Sequence, residues 1–273
     1  MANPRTALGI CQRTPVYGIA VNFCVRLDVN MAKISLTVVV PVYNEEIDLS
    51  ANIPKLFSFL KEKMNAYDWE IVIADNASID KTAEIGQKLA QDERIKYLRL
   101  EKKGRGRAIK RAWSETKSNY LAYMDVDLSS DLSYFPKLVK ALEQGADIAN
   151  GSRLAPGAEV SGRTLMREIM SRGYSFLFRS FFWTSFRDAQ CGFKAIKAKA
   201  AARLLPVIRD TDWFFDSELL IIADKAGYKI TEIPIVWKDD PASTVKVAKT
   251  AWGDVKGLIR LFIKRPWREL RKK

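Results

Sequence analysis

The sequence predicts an α/β fold: one mostly parallel sheet flanked by helices. Three observations predict it. Between about residues 36 and 151, short β-branched or apolar runs alternate with stretches whose apolar residues recur at helical spacing. Such alternation means parallel strands joined by crossover helices. The apolar runs stop at polar or charged residues, and ligands of such sheets bind beyond the carboxyl ends of the strands. The chain also has 273 residues, 48% apolar and 28% charged, enough to bury a large core.

Each element has its own signal. Leu36 to Val42 is a β-branched run that breaks at Tyr43-Asn44-Glu45. Leu49, Ile53, Leu56, Leu60 and Met64 then mark a helix. Trp69 to Ala74 is a second strand ending at Asp75-Asn76, and the helix to about Gln91 opens near Ser78, Asp80 and Thr82. Ile95 to Leu100 is a third strand, and the basic loop Lys102–Arg107 leads into a helix over Ala108 to Thr116. Tyr120 to Met124 is a fourth strand, which runs into Asp125-Val-Asp127. A helix near Tyr134–Leu142 and a strand near Asp147–Asn150 follow, closing at Gly151-Ser152-Arg153. Thr164 to Phe186 mixes aromatics with arginines, as an amphipathic helix does whether it packs in a core or lies on a membrane interface. Helices are predicted over Ala198–Leu205 and after Asp216, and a strand over Lys229–Val236. The tail reads as a basic amphipathic helix ended by Pro266, with ten cations between Lys246 and Lys273 against Asp254 and Glu269. The predicted organisation is an extension over 1–33, poorly ordered and with Met31 as an alternative start, then a domain over 34–244, then the tail helix over 245–273.

Composition narrows the chemistry. The formal net charge is +13, so the expected partner is anionic: nucleic acid, a lipid surface or a phosphorylated substrate. Histidine is absent, which removes His-based triads and points any general base toward carboxylates. Cys11, Cys24 and Cys191 are scattered without a C-x-x-C, so neither zinc nor a disulfide framework is expected. No apolar run is long enough to span a bilayer, and the first thirty residues lack the continuous apolar core of a signal peptide.

The Asp125/Asp127 pair is the centre of the predicted site. Two carboxylates one residue apart repel each other, and a hard cation between them, Mg²⁺ or Mn²⁺, relieves that while sharing its oxygens with substrate phosphates. Alone, the pair also fits a solvated turn. Asp75 ends a strand and serves either a ligand or the cap of the next helix, for which Asp80 is already available. Gly104-Arg105-Gly106-Arg107 is not a P-loop, but its backbone and Arg105 suit phosphate contact; the plain alternative is a basic turn. Of Asp216 and Glu218, before a helix, Glu218 is expected to face the site.

The ordered set P-V-Y-N-E, D-N-A-S-x-D-x-T, R-G-R-A, D-x-D, G-S-R, Q-C-G-F-K and F-D-x-E-L resembles family 2 glycosyltransferases of the GT-A fold, over about Leu36 to Lys246. It is most similar to the polyprenyl- and dolichyl-phosphate hexosyltransferases. That resemblance implies a Rossmann-like GT-A sheet with interfacial helices. It implies nucleotide-sugar contacts from Pro41, Tyr43, Glu45, Asp75, Arg105 and Asp125, and Mg²⁺ or Mn²⁺ on Asp125 and Asp127. It implies acceptor-phosphate contacts from Arg153, Arg167 and Ser171, and catalytic positions at Asp127, Asp188 and Glu218. Arg105 stands where the family usually has Lys. The activity implied is inverting, metal-dependent transfer of a hexose from a nucleotide sugar to polyprenyl or dolichyl phosphate, feeding glycan or glycoprotein assembly. UDP-glucose is the preferred donor and GDP-mannose the alternative. The implied place is peripheral, on the cytoplasmic face of a membrane. Because a phosphate monoester is largely dianionic at neutral pH, Asp188 serves either as a base or as an orienting group. Two other readings are a nucleotidyltransferase using the same metal pair and a nucleic-acid-binding protein. The latter needs a basic groove with stacking platforms, whereas acidic residues fall at several strand ends here.

Overall fold

The computed structural model describes residues 33–239 and 247–271, and of 247–251 only the backbone. The predicted N-terminal extension apart from Lys33, with Cys11, Cys24 and Met31, lies outside the described residues, as do Lys246, Lys272 and Lys273 of the tail. The elements in chain order are β1 (Ser35–Val42), α1 (Glu46–Lys63), β2 (Asp68–Asp75), α2 (Thr82–Leu89), β3 (Ile95–Arg99) and α3 (Arg105–Glu115). Then come β4 (Tyr120–Met124), α4 (Phe135–Glu143), β5 (Ile148–Ser152), β6 (Glu159–Ser161) and α5 (Leu165–Phe182). The rest are β7 (Phe193–Lys197), α6 (Ala198–Leu204), α7 (Phe215–Ala226), β8 (Ile230–Pro234), β9 (Val236–Lys238), α8 (Val247–Lys264) and α9 (Trp267–Arg271).

Seven strands form one sheet in the order β3-β2-β1-β4-β7-β5-β8. The parallel half, β3 to β4, follows the predicted alternation. β7 is the addition: it runs antiparallel between β4 and β5. The sequence reading left Phe193–Lys197 without a strand, because the run is short, holds a lysine and passes into α6 with no turn residue. Lys194 is nevertheless fully buried. β6 and β9 make a separate two-stranded ribbon.

The pleat sends alternate residues to opposite faces. In β1, Leu36, Val38 and Val40 meet α1 and α4 on one face, while Val39 turns to α3 on the other. In β4, Leu121 and Tyr123 take the α3 face, and Ala122 and Met124 the α1 face. The α3 face also receives Phe178 and Phe182 of α5, most of α7, and Leu258 and Leu261 of α8. The core reading of the aromatic stripe holds for Phe178, Phe182 and Phe186, whereas Phe176, Phe181 and Trp183 are exposed.

The tail is two helices, not one. Arg265 adopts a left-handed backbone (φ 47°) directly before Pro266, and α9 begins after it. Leu258, Leu261 and Trp267 of the described tail join the same buried cluster as residues of α3 and α7. Asp254 accepts a hydrogen bond from Gln190 at 2.7 Å, and Arg260 pairs with Glu218 at 2.8 Å.

Candidate active site

Asp125 follows β4 directly, at the middle of the sheet, with β1 on one side and β7 on the other. Its Oδ1 accepts from Nη2 of Arg105 at 2.7 Å, and Nη1 of the same guanidinium reaches Asp216 at 2.6 Å. Asp216 also accepts from the Tyr123 hydroxyl and lies 3.3 Å from the Lys194 ammonium. Burial works against the charge on Arg105, but Asp125 and Asp216 outweigh it and raise its pKa. Arg105 is thus a buried, permanently charged bridge between the exposed end of the site and its floor. Lys194, pushed down to about 8 chiefly by burial, completes that floor.

Gly192 shapes the other side of Asp125. A Cβ built on Gly192 would stand 1.7 Å from Asp125 Oδ2, so only glycine leaves room for this carboxylate. The Asp125 N–H donates to the Gly192 carbonyl at 3.1 Å. Asp127 lies two residues on, just before Leu128 with its φ of 51°, and accepts from the Ser129 N–H at 3.0 Å and hydroxyl at 2.7 Å. Both carboxylates remain partly exposed.

Glu45, at the β1 turn, belongs to the same acidic field. Its pKa is pushed up to about 7, first by burial and then by Asp48, Asp127, Asp80 and Asp125. Negative charge is therefore concentrated at the mouth of the sheet, and the donors are all oxygens. This donor chemistry fits Mg²⁺ or Mn²⁺ on Asp125 and Asp127. Among the described residues no group of three or more acids, cysteines or histidines is placed to hold a metal ion.

The other expected nucleotide contacts line the same edge. Pro41 and Tyr43 close β1, and the Lys103 ammonium sits 3.3 Å above the Tyr43 ring. Asp75 is fully buried and heavily used: it accepts from the Ser78 N–H at 2.8 Å, from Arg99 at 2.9 Å and from the Tyr97 hydroxyl. It therefore holds the turn before α2 in addition to whatever it offers a ligand. Asp80 accepts from the Thr82 N–H at 3.0 Å, but the N-cap residue of α2 is Lys81, which makes no side-chain cap bond, so the capping expected of Asp80 is replaced by this local bond.

A second cluster gathers the expected acceptor residues. Arg153 grips Asp188 through Nε at 2.8 Å, Nη2 at 2.9 Å and its backbone N–H at 3.0 Å, and its guanidinium lies 5.0 Å from the Trp237 ring centre. The Trp237 indole donates to Asp239 at 2.6 Å, and Arg163 and Arg167 approach the same carboxylate at 3.3 and 3.6 Å. Ser171 sits one turn beyond Arg167 on α5, half-buried. Burial alone would raise the Asp188 carboxyl, but Arg153 and the backbone bonds hold it down at about 2. A carboxylate so held is a poor proton acceptor at neutral pH and a good orienting group.

Glu218 is committed elsewhere. It accepts from the backbone N–H groups of Arg209 at 3.2 Å and Asp210 at 2.7 Å, and it pairs with Arg260. The place expected for it beside the Asp125 cluster is taken by Asp216. The spacing of two residues at the start of α7 turns the two acids to different neighbours. Tyr123, Lys194, Trp237 and Asp239 were not singled out in the sequence. The one available signal was Lys194, a lysine inside an apolar run.

The profile of Glycosyl transferase family 2 matches residues 37–205. The chain belongs to this family. This family 2 glycosyltransferase is 32% identical to glycosyltransferase AglD of Haloferax volcanii over 85% of its own length, and it spans only 37% of AglD. It is 30% identical to the dolichyl-phosphate β-glucosyltransferase of Saccharomyces cerevisiae, over 79% of this chain and 70% of that enzyme. Among solved structures, the glucosyl-3-phosphoglycerate synthase of Mycobacterium tuberculosis bound to UDP superposes with a TM-score of 0.64 at 16% identity, over 85% of this chain and 80% of that one. Its complex with Mn²⁺, UDP and phosphoglyceric acid gives 0.63. At that identity the likeness speaks for the fold, which is GT-A.

Proposed function

We propose that this glycosyltransferase moves glucose from UDP-glucose to dolichyl phosphate or a similar polyprenyl phosphate, with inversion at the anomeric carbon and with Mg²⁺ or Mn²⁺ on Asp125 and Asp127. The observation that supports it most is the juxtaposition of two chemistries in one fold: an acidic turn at the end of β4, and an arginine cluster around Trp237 and Asp239. Relatives named for dolichyl-phosphate glucosyl transfer favour the donor and the acceptor. The solved neighbour holding Mn²⁺ and UDP favours a divalent metal.

In this reading each residue has a task. A metal ion would offset charge growing on the diphosphate as the glycosidic bond breaks. Arg105 and Gly192 fix the Asp125 carboxylate from two sides. Pro41, Tyr43, Glu45 and Asp75 line the nucleoside end. Arg153, Arg167 and Ser171 draw in the acceptor phosphate, which would have to reach the Nη1 side of Arg153, since the other nitrogens serve Asp188. A phosphate oxygen of the acceptor bonds to the anomeric carbon while the bond to the UDP oxygen breaks, so UDP leaves and the glucose–phosphate linkage forms. The dianionic phosphate has no proton to surrender, and Asp188 acts by keeping Arg153 in place. The site works from the cytoplasmic side of a membrane, where nucleotide sugar and lipid phosphate meet, with the protein bound peripherally.

The test is a donor screen with purified protein, a polyprenyl phosphate and Mn²⁺. Lipid-linked glucose from UDP-glucose is the expected product; preferred use of GDP-mannose would overturn the donor. Asp127→Asn is expected to lose most metal-dependent turnover and keep its thermal midpoint. Full activity of that variant in EDTA would remove the metal from the mechanism.

A further inference from the structure

Fifteen large apolar side chains are exposed among the described residues, and eleven of them lie on α5, its C-cap Trp183 and α8. Scattered exposed apolar groups need no explanation, but a contiguous set does. On α5, Leu165, Ile169 and Phe176 form one row, and Met166, Met170 and Phe181 an adjacent one, spaced four, eleven and fifteen residues apart as whole helical turns require. On α8, Trp252, Ile259, Phe262 and Ile263 share one side by the same periodicity. The two rows meet where the Phe181 and Phe262 rings contact edge to face, 5.9 Å between centres. One apolar surface thus runs across both helices.

Where the rows meet, a groove of about 300 Å³ opens between α5, α7, α8 and α9. Phe181, Phe182, Phe262 and Trp267 wall it. Among the described residues its charged lining is Arg265, Arg268, Arg271 and Lys225, the last paired with Asp224 at 3.1 Å. Protein–protein interface cores are depleted of charge, whereas tryptophan and phenylalanine beside a basic rim is the composition of helices lying at a bilayer interface.

We infer that α5 and α8 together form a lipid-facing surface, and that the groove seats the phosphate headgroups of an anionic bilayer. The inference rests on the reading above only in choosing a bilayer over a second protein as occupant. The apolar rows enter the interface, and the groove cations meet lipid phosphates. Neither helix is long and apolar enough to cross a membrane, so the contact is lateral. Of the candidate acceptor residues, Arg167 and Ser171 sit on the first two turns of α5 and the groove lies at its last, so one continuous helix joins the acceptor cluster to the bilayer surface.

The experiment is vesicle co-sedimentation of the full chain, without UDP-glucose, metal or polyprenyl phosphate. Vesicles of phosphatidylcholine alone are compared with vesicles also containing phosphatidylserine. Wild type is expected to bind the anionic vesicles only, less so as salt rises. Arg268→Glu with Arg271→Glu is expected to lower binding about thirtyfold or more. Phe176→Ser with Trp252→Ser, all exposed positions, is expected to weaken binding but keep its salt dependence. The inference fails if both variants sediment like wild type, or if neutral vesicles bind equally well. It also fails if RNA displaces the protein from vesicles, or if sedimentation velocity shows the variants dissolving a dimer with vesicle binding intact. Transfer to a short-chain, water-soluble polyprenyl phosphate tests the reaction separately. Loss of vesicle binding with that transfer retained supports the surface, and loss of the transfer alone counts against the activity.

Discussion

Two residues define the site by what they refuse. Gly192 refuses a side chain, because any Cβ would occupy the space of Asp125. Gly192→Ala is expected to push Asp125 aside and raise the Mn²⁺ concentration needed for half-maximal transfer by about tenfold or more; a Mn²⁺ titration of the activity checks it. Asp188 refuses a proton. Its folded pKa, about 2, lies below the ordinary carboxylate value, so its contribution to stability is complete above that ordinary value and is lost only as pH falls through about 2. No limb of the pH–rate profile between pH 5 and 8 should therefore belong to it. Asp188→Asn is expected to weaken acceptor use and leave the shape of that profile unchanged. Removing one partner of a buried ion pair costs about 3–5 kcal/mol, so a lower thermal midpoint should accompany it. Asp125, Asp127 and Arg153 were legible in the sequence because chain order places them at strand ends. That Asp216, not Glu218, joins Arg105 was not legible, because it depends on how α7 is rotated against the sheet.

At the scale of elements, α8 is the informative case. Its composition and its ending near Pro266 were readable, but its seat was not, since an amphipathic helix does not state which apolar surface it prefers. It has two. The inner side fits against Phe214 through Gly257, where a Cβ would come within 2.4 Å of the ring. Gly257→Val should lift the helix at a cost of about 1–3 kcal/mol, visible as a lower thermal midpoint. The inner side also buries Asp254, whose pKa is pushed up to about 7, mainly by burial, and whose Oδ1 has no hydrogen-bond partner. A raised carboxyl stabilises the fold fully below its unfolded value and loses that contribution as pH rises through about 7. Wild type should therefore lose several degrees of thermal midpoint, relative to Asp254→Asn, between pH 5 and 8. β7 was not legible, as β6 and β9 were not, because its partners β4 and β5 are remote in sequence.

The molecule as a whole is a sheet completed out of order. β1, β2, β3 and β4 pair among themselves from one stretch of chain, which is why the sequence reported that half so directly. β5 pairs only with β7 and β8, both made later. Closing such long loops carries an entropic cost that neighbouring strands avoid. In pulse-labelled hydrogen exchange, amides of β1, β2 and β4 should gain protection before those of β5 and β8; simultaneous protection would contradict this. β7 brings Gly192 and Lys194 with it, the wall and the floor of the Asp125 site. On the ribosome the carboxylate turn thus emerges long before its surroundings exist, and a growing chain acquires its catalytic shape only after most of its length has been synthesised.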